Sequence, residues 1–388
     1  MKYALLHTLL GFLFTQTGLG QSFNLRYDFG EEARPDFSWS VESEDAGGFT
    51  VFCPVYNADF RYETGVARFN VNGEVEWTTK VSVDTLSILT GLHNSTYKLN
   101  IGDGYVLGTN IFGWGTDHMY LIRYNSDGDT LWTRYWSNEF GFQEIGYSAI
   151  EDPDGNFLVV GVGGAANGYA RGLVVKTDPN GNTLWKRYYT GYTGSTSSTI
   201  FGSIDNAFGG GYIVGGSTRA CETCPFQHQA VRLSTDGDEL WQHVLVNNSD
   251  DGAPNIMHYG DGTFFGASNG CLDPEGYYQC KPQLIKYSDL GDTLWTYTYG
   301  ENWAFRPYFT TVKRLSDGNL FTGGQTREES IWKGLIAKID TSGTLLWQRI
   351  YTNVEGNECR FNDFTELTTG ELVAVGVAWP QGGEQPLG

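Results

Sequence analysis

A glycine-centred turn followed by a strand that opens on tryptophan occurs six times in this chain, and this repeat limits the fold more than any other feature. The pairs are Gly73 and Trp77, Gly128 and Trp132, Gly181 and Trp185, Gly237 and Trp241, Gly291 and Trp295, and Gly343 and Trp347. Successive tryptophans lie 55, 53, 56, 54 and 52 residues apart. A near-constant period of this size means one supersecondary unit copied along the chain, each copy needing its neighbours to bury its apolar faces.

Each copy reads as four short strands. In residues 146–190 a first strand spans Tyr147 to Ile150, and a turn at Asp152 to Gly155 leads to a second strand at Phe157 to Val160. A third strand lies at Leu173 to Lys176, and the turn at Asp178 to Gly181 feeds a fourth that carries Leu184 and Trp185. Asp, Asn and Gly suit tight turns, and a chain that is 15% aromatic with 52 glycines suits pleated strands. No segment keeps a 3.6-residue apolar period with caps at both ends.

The second strand recurs seven times, beginning near Phe49, Tyr105, Phe157, Tyr212, Phe264, Leu320 and Leu372. The third recurs six times, centred on Arg68, Arg123, Lys176, Arg232, Lys286 and Lys338. Near the N-terminus, Asn24-Leu25-Arg26-Tyr27 matches the fourth strands at Thr133-Arg134-Tyr135 and Lys186-Arg187-Tyr188. The sequence therefore predicts an all-β, seven-bladed β-propeller of four-stranded antiparallel blades. The N-terminal strand closes the last blade, which is itself one strand short. The missing third strand is expected close to residue 388, so the C-terminal blade reads as truncated and the chain as a fragment of a longer frame.

Residues 1–20 read as a secretory signal peptide: Lys2, a Leu/Phe-rich run from Leu5 to Phe14, and Gly18-Leu19-Gly20 before a cut at Gln21. Residues 21–388 then form a single propeller domain, secreted or at the cell surface. The apolar run is too short to span a bilayer. A net charge of −20 repels phosphate backbones and argues against nucleic-acid partners.

The run Lys176-Thr177-Asp178-Pro179-Asn180-Gly181-Asn182-Thr183-Leu184-Trp185 resembles the tryptophan-docking repeat of quinoprotein-dehydrogenase-like propellers. The whole pattern is similar to secreted repeat proteins carried by type IX secretion. The resemblance implies that each tryptophan packs between blades; it implies little about activity. Quinone enzymes of that group carry adjacent cysteines, and this chain has none. A second resemblance is to the sialidase Asp-box, at Ser288-Asp289-Leu290-Gly291-Asp292-Thr293-Leu294-Trp295, with one extra residue between Thr293 and Trp295. Phe305-Arg306-Pro307 is similar to a sialidase arginine motif, but it enters blade six instead of blade one.

Turns at Asp152 to Asn156 and Asn125 to Asp129 lack the oxygen-ligand set and distal glutamate of a calcium loop. The six histidines are scattered, and the residues point to no metal and no cofactor. Tight turns join strands one to two and three to four; long, irregular loops join two to three and blade to blade. Both long classes emerge at one end of a propeller, where function usually sits. Those loops or their edges carry Phe112, Trp114, Tyr192, Trp303, Phe305 and Trp332, rings suited to stacking a sugar or meeting a protein. The six cysteines lie there too, and an even count in an exported chain predicts disulfides: Cys221 with Cys224, Cys271 with Cys280, and Cys53 with Cys359 as a staple across the closure.

The expectation is a secreted, non-enzymatic binding or scaffold protein whose loop-rich end meets an extracellular polysaccharide or protein. The alternative is a sialidase-like, glycan-cleaving propeller that would pair Glu301 or Glu358 with Asp363 near the axis.

Overall fold

A computed structural model describes residues 40–59, 61–83, 86–89, 95–113, 116–137, 143–164, 169–192, 196–245, 255–271, 280–300, 308–328, 331–352 and 358–378. All strand pairs among them are antiparallel, and outside blade two they join sequential neighbours, as a propeller blade requires. Blade three is representative, with strands Glu144–Glu151, Phe157–Gly164, Ala170–Thr177 and Thr183–Tyr189. The turn between its first two strands is set locally: Asp152 Oδ1 accepts the amides of Asp154 and Asn156, each at 2.9 Å. Its second and third strands are covered on both faces, so they read as nearly unbroken apolar runs (Leu158, Val159 and Val160; Leu173, Val174 and Val175). The fourth strand lies at the rim, where Leu184 is exposed and Trp185 is half-buried.

The repeated tryptophans sit against the glycine turns of the following blade. A Cβ built on Gly128, at φ +82°, falls 2.5 Å from the Trp77 ring, and one on Gly291, at φ +89°, falls 2.7 Å from Trp241. Glycine is required at these turns twice over, by the left-handed backbone and by the indole lying on it. In blade six the ring over Gly343 is that of Tyr297.

The seven-blade expectation is corrected: the structure has six blades, not seven. They start at Ser40, Ser87, Glu144, Ser198, Asn255 and Tyr308, and blade two gains a fifth strand because its inner edge is split into Ser87–Leu89 and Thr96–Lys98. The seventh second-strand sequence, Leu372–Ala378, pairs only with Cys359–Glu366 among the described residues. A repeat of one strand sequence is therefore not a count of blades. This hairpin fills the space between blade six and blade one. Phe364 packs with Phe321 of blade six, while Leu367 and Val373 pack with Val41, Phe49 and Val51 of blade one. The proposed closing strand, Asn24 to Tyr27, lies outside the described residues.

The Cys53–Cys359 staple is also corrected. Both residues are buried thiols. Cys53 donates to the Gly65 carbonyl at 3.7 Å, across to the neighbouring strand of its own blade, and Cys359 to that of Tyr351 at 3.1 Å. Cys53 is held inside its own sheet, whereas the Cys359 sulfur faces blade six, whose Gly334 amide donates to it at 3.4 Å. Cys221 and Cys224 form a disulfide. Cys280 is also disulfide-bonded, and the residue opposite it across the ladder is Cys271.

Candidate functional site

The innermost strands carry a belt of small polar residues at one repeated position. Ser203 Oγ accepts the amide of Ile256 at 2.8 Å, Asn255 Oδ1 that of Val312 at 3.2 Å, and Asp363 Oδ2 that of Val41 at 3.0 Å. Each bond joins one inner strand to the next around the axis, satisfying backbone groups that no blade can satisfy alone. Two residues further along lie Glu42, Asp205 and Lys313. Lys313 Nζ is 3.0 Å from Asp363 Oδ1, and the Thr96 hydroxyl donates to Glu42 at 3.3 Å. Burial pushes the Glu42 carboxyl up to about 7 despite the pull of Lys313, and pushes Asp205 up to about 6.

Asp363, a carboxylate expected to do chemistry, is fully buried and committed to holding the hairpin: it receives Lys313, Ser40, Val41 and the Phe364 amide. Glu358 lies elsewhere, its Oε1 3.5 Å from the amide of Trp332. The structure does not bring these two carboxylates together, and Glu301 and Arg306 lie outside the described residues. Among the described residues, no group of three or more His, Cys, Asp or Glu could hold a metal ion. No helix among them is long and apolar enough to cross a membrane.

Among the described residues of the loop-bearing end, aromatic rings gather where blades one and two meet. Tyr56 and Tyr62 face each other across the loop that joins strands Phe49–Tyr56 and Tyr62–Phe69. Their ring centroids are 4.2 Å apart, and the Tyr56 hydroxyl donates to that of Tyr62. Phe112, from strand Tyr105–Gly113 of blade two, completes the group with its ring 6.1 Å from Tyr62. All three rings are half-buried, each resting on the blade with part of its surface open. The adjoining loop is fixed by Asn57, whose Oδ1 accepts the amides of Asp59 and Arg61 at 3.0 and 3.1 Å and whose Nδ2 donates to Glu63 at 2.9 Å. The sequence singled out Phe112 alone. Tyr56 and Tyr62 were legible as strand ends flanking a long-loop position, where cross-strand partners meet.

The other predicted rings stand apart. Tyr192, between blades three and four, is half-buried and accepts the Ser197 hydroxyl on its carbonyl at 2.9 Å. Trp332 lies in blade six opposite Arg327, whose guanidinium covers its ring at 5.3 Å. Trp114, Trp303 and Phe305 lie outside the described residues.

No protein-family model matches this chain, and no curated protein does. Solved structures do. An α-L-arabinanase of Penicillium chrysogenum, solved with arabinobiose, is 13% identical, with 88% of this chain and 92% of that one covered at a TM-score of 0.50. A protein of unknown function from Bacteroides caccae is 15% identical over 82% of this chain and 94% of its own, with a TM-score of 0.46. A sialidase of Trypanosoma rangeli is 12% identical over 77% of this chain and 53% of its own, at 0.45. At such identities the likeness is one of fold, and the fold is the β-propeller.

Proposed function

We propose that this propeller is a non-enzymatic binding protein, acting outside the cytoplasm after loss of residues 1–20, whose loop-bearing end holds an extracellular glycan or protein. The observation that carries this reading is the Tyr56–Tyr62–Phe112 cluster. Three rings with open faces, two phenol hydroxyls and the amide and carboxylate of Asn57 and Glu63 lie side by side, giving stacking surface and hydrogen-bond partners for a sugar or a peptide. The blades beneath are tied to their neighbours, so little order has to be gained on binding. The export route resembles that of type IX secretion cargo on the docking-repeat sequence alone. The test is affinity electrophoresis against a panel of surface polysaccharides, together with binding to intact cells. The double change Tyr62→Ala, Phe112→Ala should weaken binding at least ~10-fold, the effect of losing two stacked contacts. Unchanged binding removes the cluster from the reading.

One observation favours a second reading, glycan cleavage. Glu42 keeps its proton up to about 7 on an inner strand, the state a general acid needs. Release of reducing sugar by the native protein, lost in Glu42→Gln, would establish it.

A further inference from the structure

Two disulfide settings in this protein differ in a way that stability does not explain. Cys280 is buried at 1% exposure in a strand, with Cys271 opposite it in the ladder. Cys221 and Cys224 are only three residues apart, half-buried, in the turn between strands Tyr212–Arg219 and Gln227–Leu233 of blade four. A cross-link constrains the unfolded chain less as the loop it closes shortens, so this one adds little stability.

Its surroundings suit electron transfer instead. Arg219 stacks on Phe226 at 4.9 Å and donates from Nη1 to the Glu222 carbonyl at 2.7 Å, which fixes a guanidinium on the peptide next to Cys221. The Thr223 hydroxyl lies 3.6 Å from Cys221 Sγ. A held cation and a hydroxyl donor both favour a thiolate over a thiol. The Glu222 side chain is exposed, where water screens its charge, whereas Arg219 is half-buried.

We propose that Cys221–Cys224 is a redox-active pair that accepts two electrons from a dithiol. A substrate thiolate attacks Cys224 Sγ. The S–S bond breaks, and its electron pair stays on Cys221 Sγ as a thiolate stabilised by Thr223 and Arg219. The second substrate thiolate then attacks the substrate sulfur of the mixed disulfide and releases Cys224 as a thiolate. The dithiol leaves oxidised to its disulfide, and the protein holds two reduced cysteines.

The test uses the whole chain. After mild reduction with dithiothreitol, differential alkylation and mass spectrometry follow each cysteine, and the pH dependence of alkylation gives the thiol midpoint. The pair should be reduced at least ~10-fold faster than the Cys280 disulfide, with a midpoint at least ~1 unit below the ordinary thiol value near 8.5. Arg219→Gln should move that midpoint back up; Thr223→Val, which leaves the Arg219 contacts in place, should do so at Cys221 alone. A midpoint at the ordinary value, a midpoint unmoved by both changes, or reduction no faster than at Cys280 would overturn the assignment.

Discussion

At the junction of blades one and two, Glu44 in the first turn of blade one meets Tyr105 of blade two. At the junction of blades two and three, the same two positions are Leu99 and Phe157, packed in one apolar cluster. The two solutions recur along the ring. Asp152 meets Tyr212 between blades three and four, through a 3.0 Å hydrogen bond from the phenol. Ala207 shares a cluster with Phe264 between four and five, and Leu315 one with Leu372 of the hairpin. An acid in the turn is matched by tyrosine about one repeat later, and an apolar residue by an apolar one.

The difference lies in what the third-strand cation does. With an acid present, it is drawn in: Arg68 Nη1 is 2.9 Å from Glu44, and Lys176 Nζ is 2.9 Å from Asp152 and 2.8 Å from the Tyr212 hydroxyl. Without one, the arginine turns to backbone carbonyls. Arg232 donates to those of Phe208 at 3.0 Å and Leu233 at 2.7 Å, and Arg123 to that of Tyr105 at 3.5 Å. A buried cation must find acceptors either way, and the two arginines whose turn residue is apolar find them on backbone carbonyls. A repeat can therefore hold its spacing while its interfaces alternate between charged and apolar chemistry.

Removing an acid from a charged junction should have the largest effect. Asp152→Ala leaves Lys176 buried without its carboxylate and should cost about 3–5 kcal/mol in denaturant unfolding. The triple change Asp152→Leu, Lys176→Met, Tyr212→Phe converts the junction to the apolar type and should regain most of that loss, since well-packed apolar replacements of buried ion pairs are often neutral. A single change costing under ~1 kcal/mol, or a triple no better than the single, would show that the two junction types are not alternatives.

Much of this was open to reading in the sequence. The tryptophan period and the Asx-type turns such as Asp178 to Gly181 are local signals, and they placed most strands and their turns; that the turn glycines carry the tryptophans of the preceding blade emerges only from the structure. The acid–tyrosine match was also there, in Glu44 with Tyr105 and Asp152 with Tyr212, but it becomes visible only when one blade is aligned on the next. The blade count was not legible. A second strand at Leu372 looks the same whether or not two more strands cover it, because pairing is a non-local property of the sheet. The aromatic cluster was half legible for the same reason: Phe112 is a loop-edge ring, whereas Tyr56 and Tyr62 gain meaning from being opposite each other. The axial belt was missed because Ser203, Asn255 and Asp363 share a position and a task while differing in residue type.

Smaller changes test the pairing from both sides. Phe157→Tyr puts a phenol hydroxyl against Leu99 instead of an acid in the turn, with the nearby Glu151 already taken up by the amides of Asn100 and Ile101, and should cost about 1–3 kcal/mol for the unsatisfied group. Tyr105→Phe removes a hydroxyl but leaves Glu44 its contacts with Arg68 and, at 2.6 Å, Thr50, so the loss should be nearer ~1 kcal/mol. If the two substitutions cost the same, the apolar junction is roomier than its packing indicates.

The last comparison is one of pH, and it sets an acid in the first turn of blade three against one on the innermost strand of blade one. Burial alone would raise Asp152, but hydrogen bonds from Lys176, Asn156 and Tyr212 outweigh it and hold the carboxyl below the usual 3.8. A carboxyl lowered in the folded state stabilises it above 3.8, and that stability is lost as pH falls further. Glu42 is the reverse case. Its carboxyl is raised by burial from 4.5 to about 7, with Lys313 already shared with Asp363. Between those values the folded chain holds a proton that the unfolded chain has released, so stability declines as pH rises from about 4.5 to about 7 and levels off above. Asp205, raised to about 6, adds to the same slope. Melting temperatures across this window should fall less steeply for Glu42→Gln than for the native protein, and stay nearly flat once Asp205→Asn is added. A Glu42→Gln protein that follows the native slope would mean that Glu42 is already ionised at the axis, with Lys313 serving it as fully as it serves Asp363.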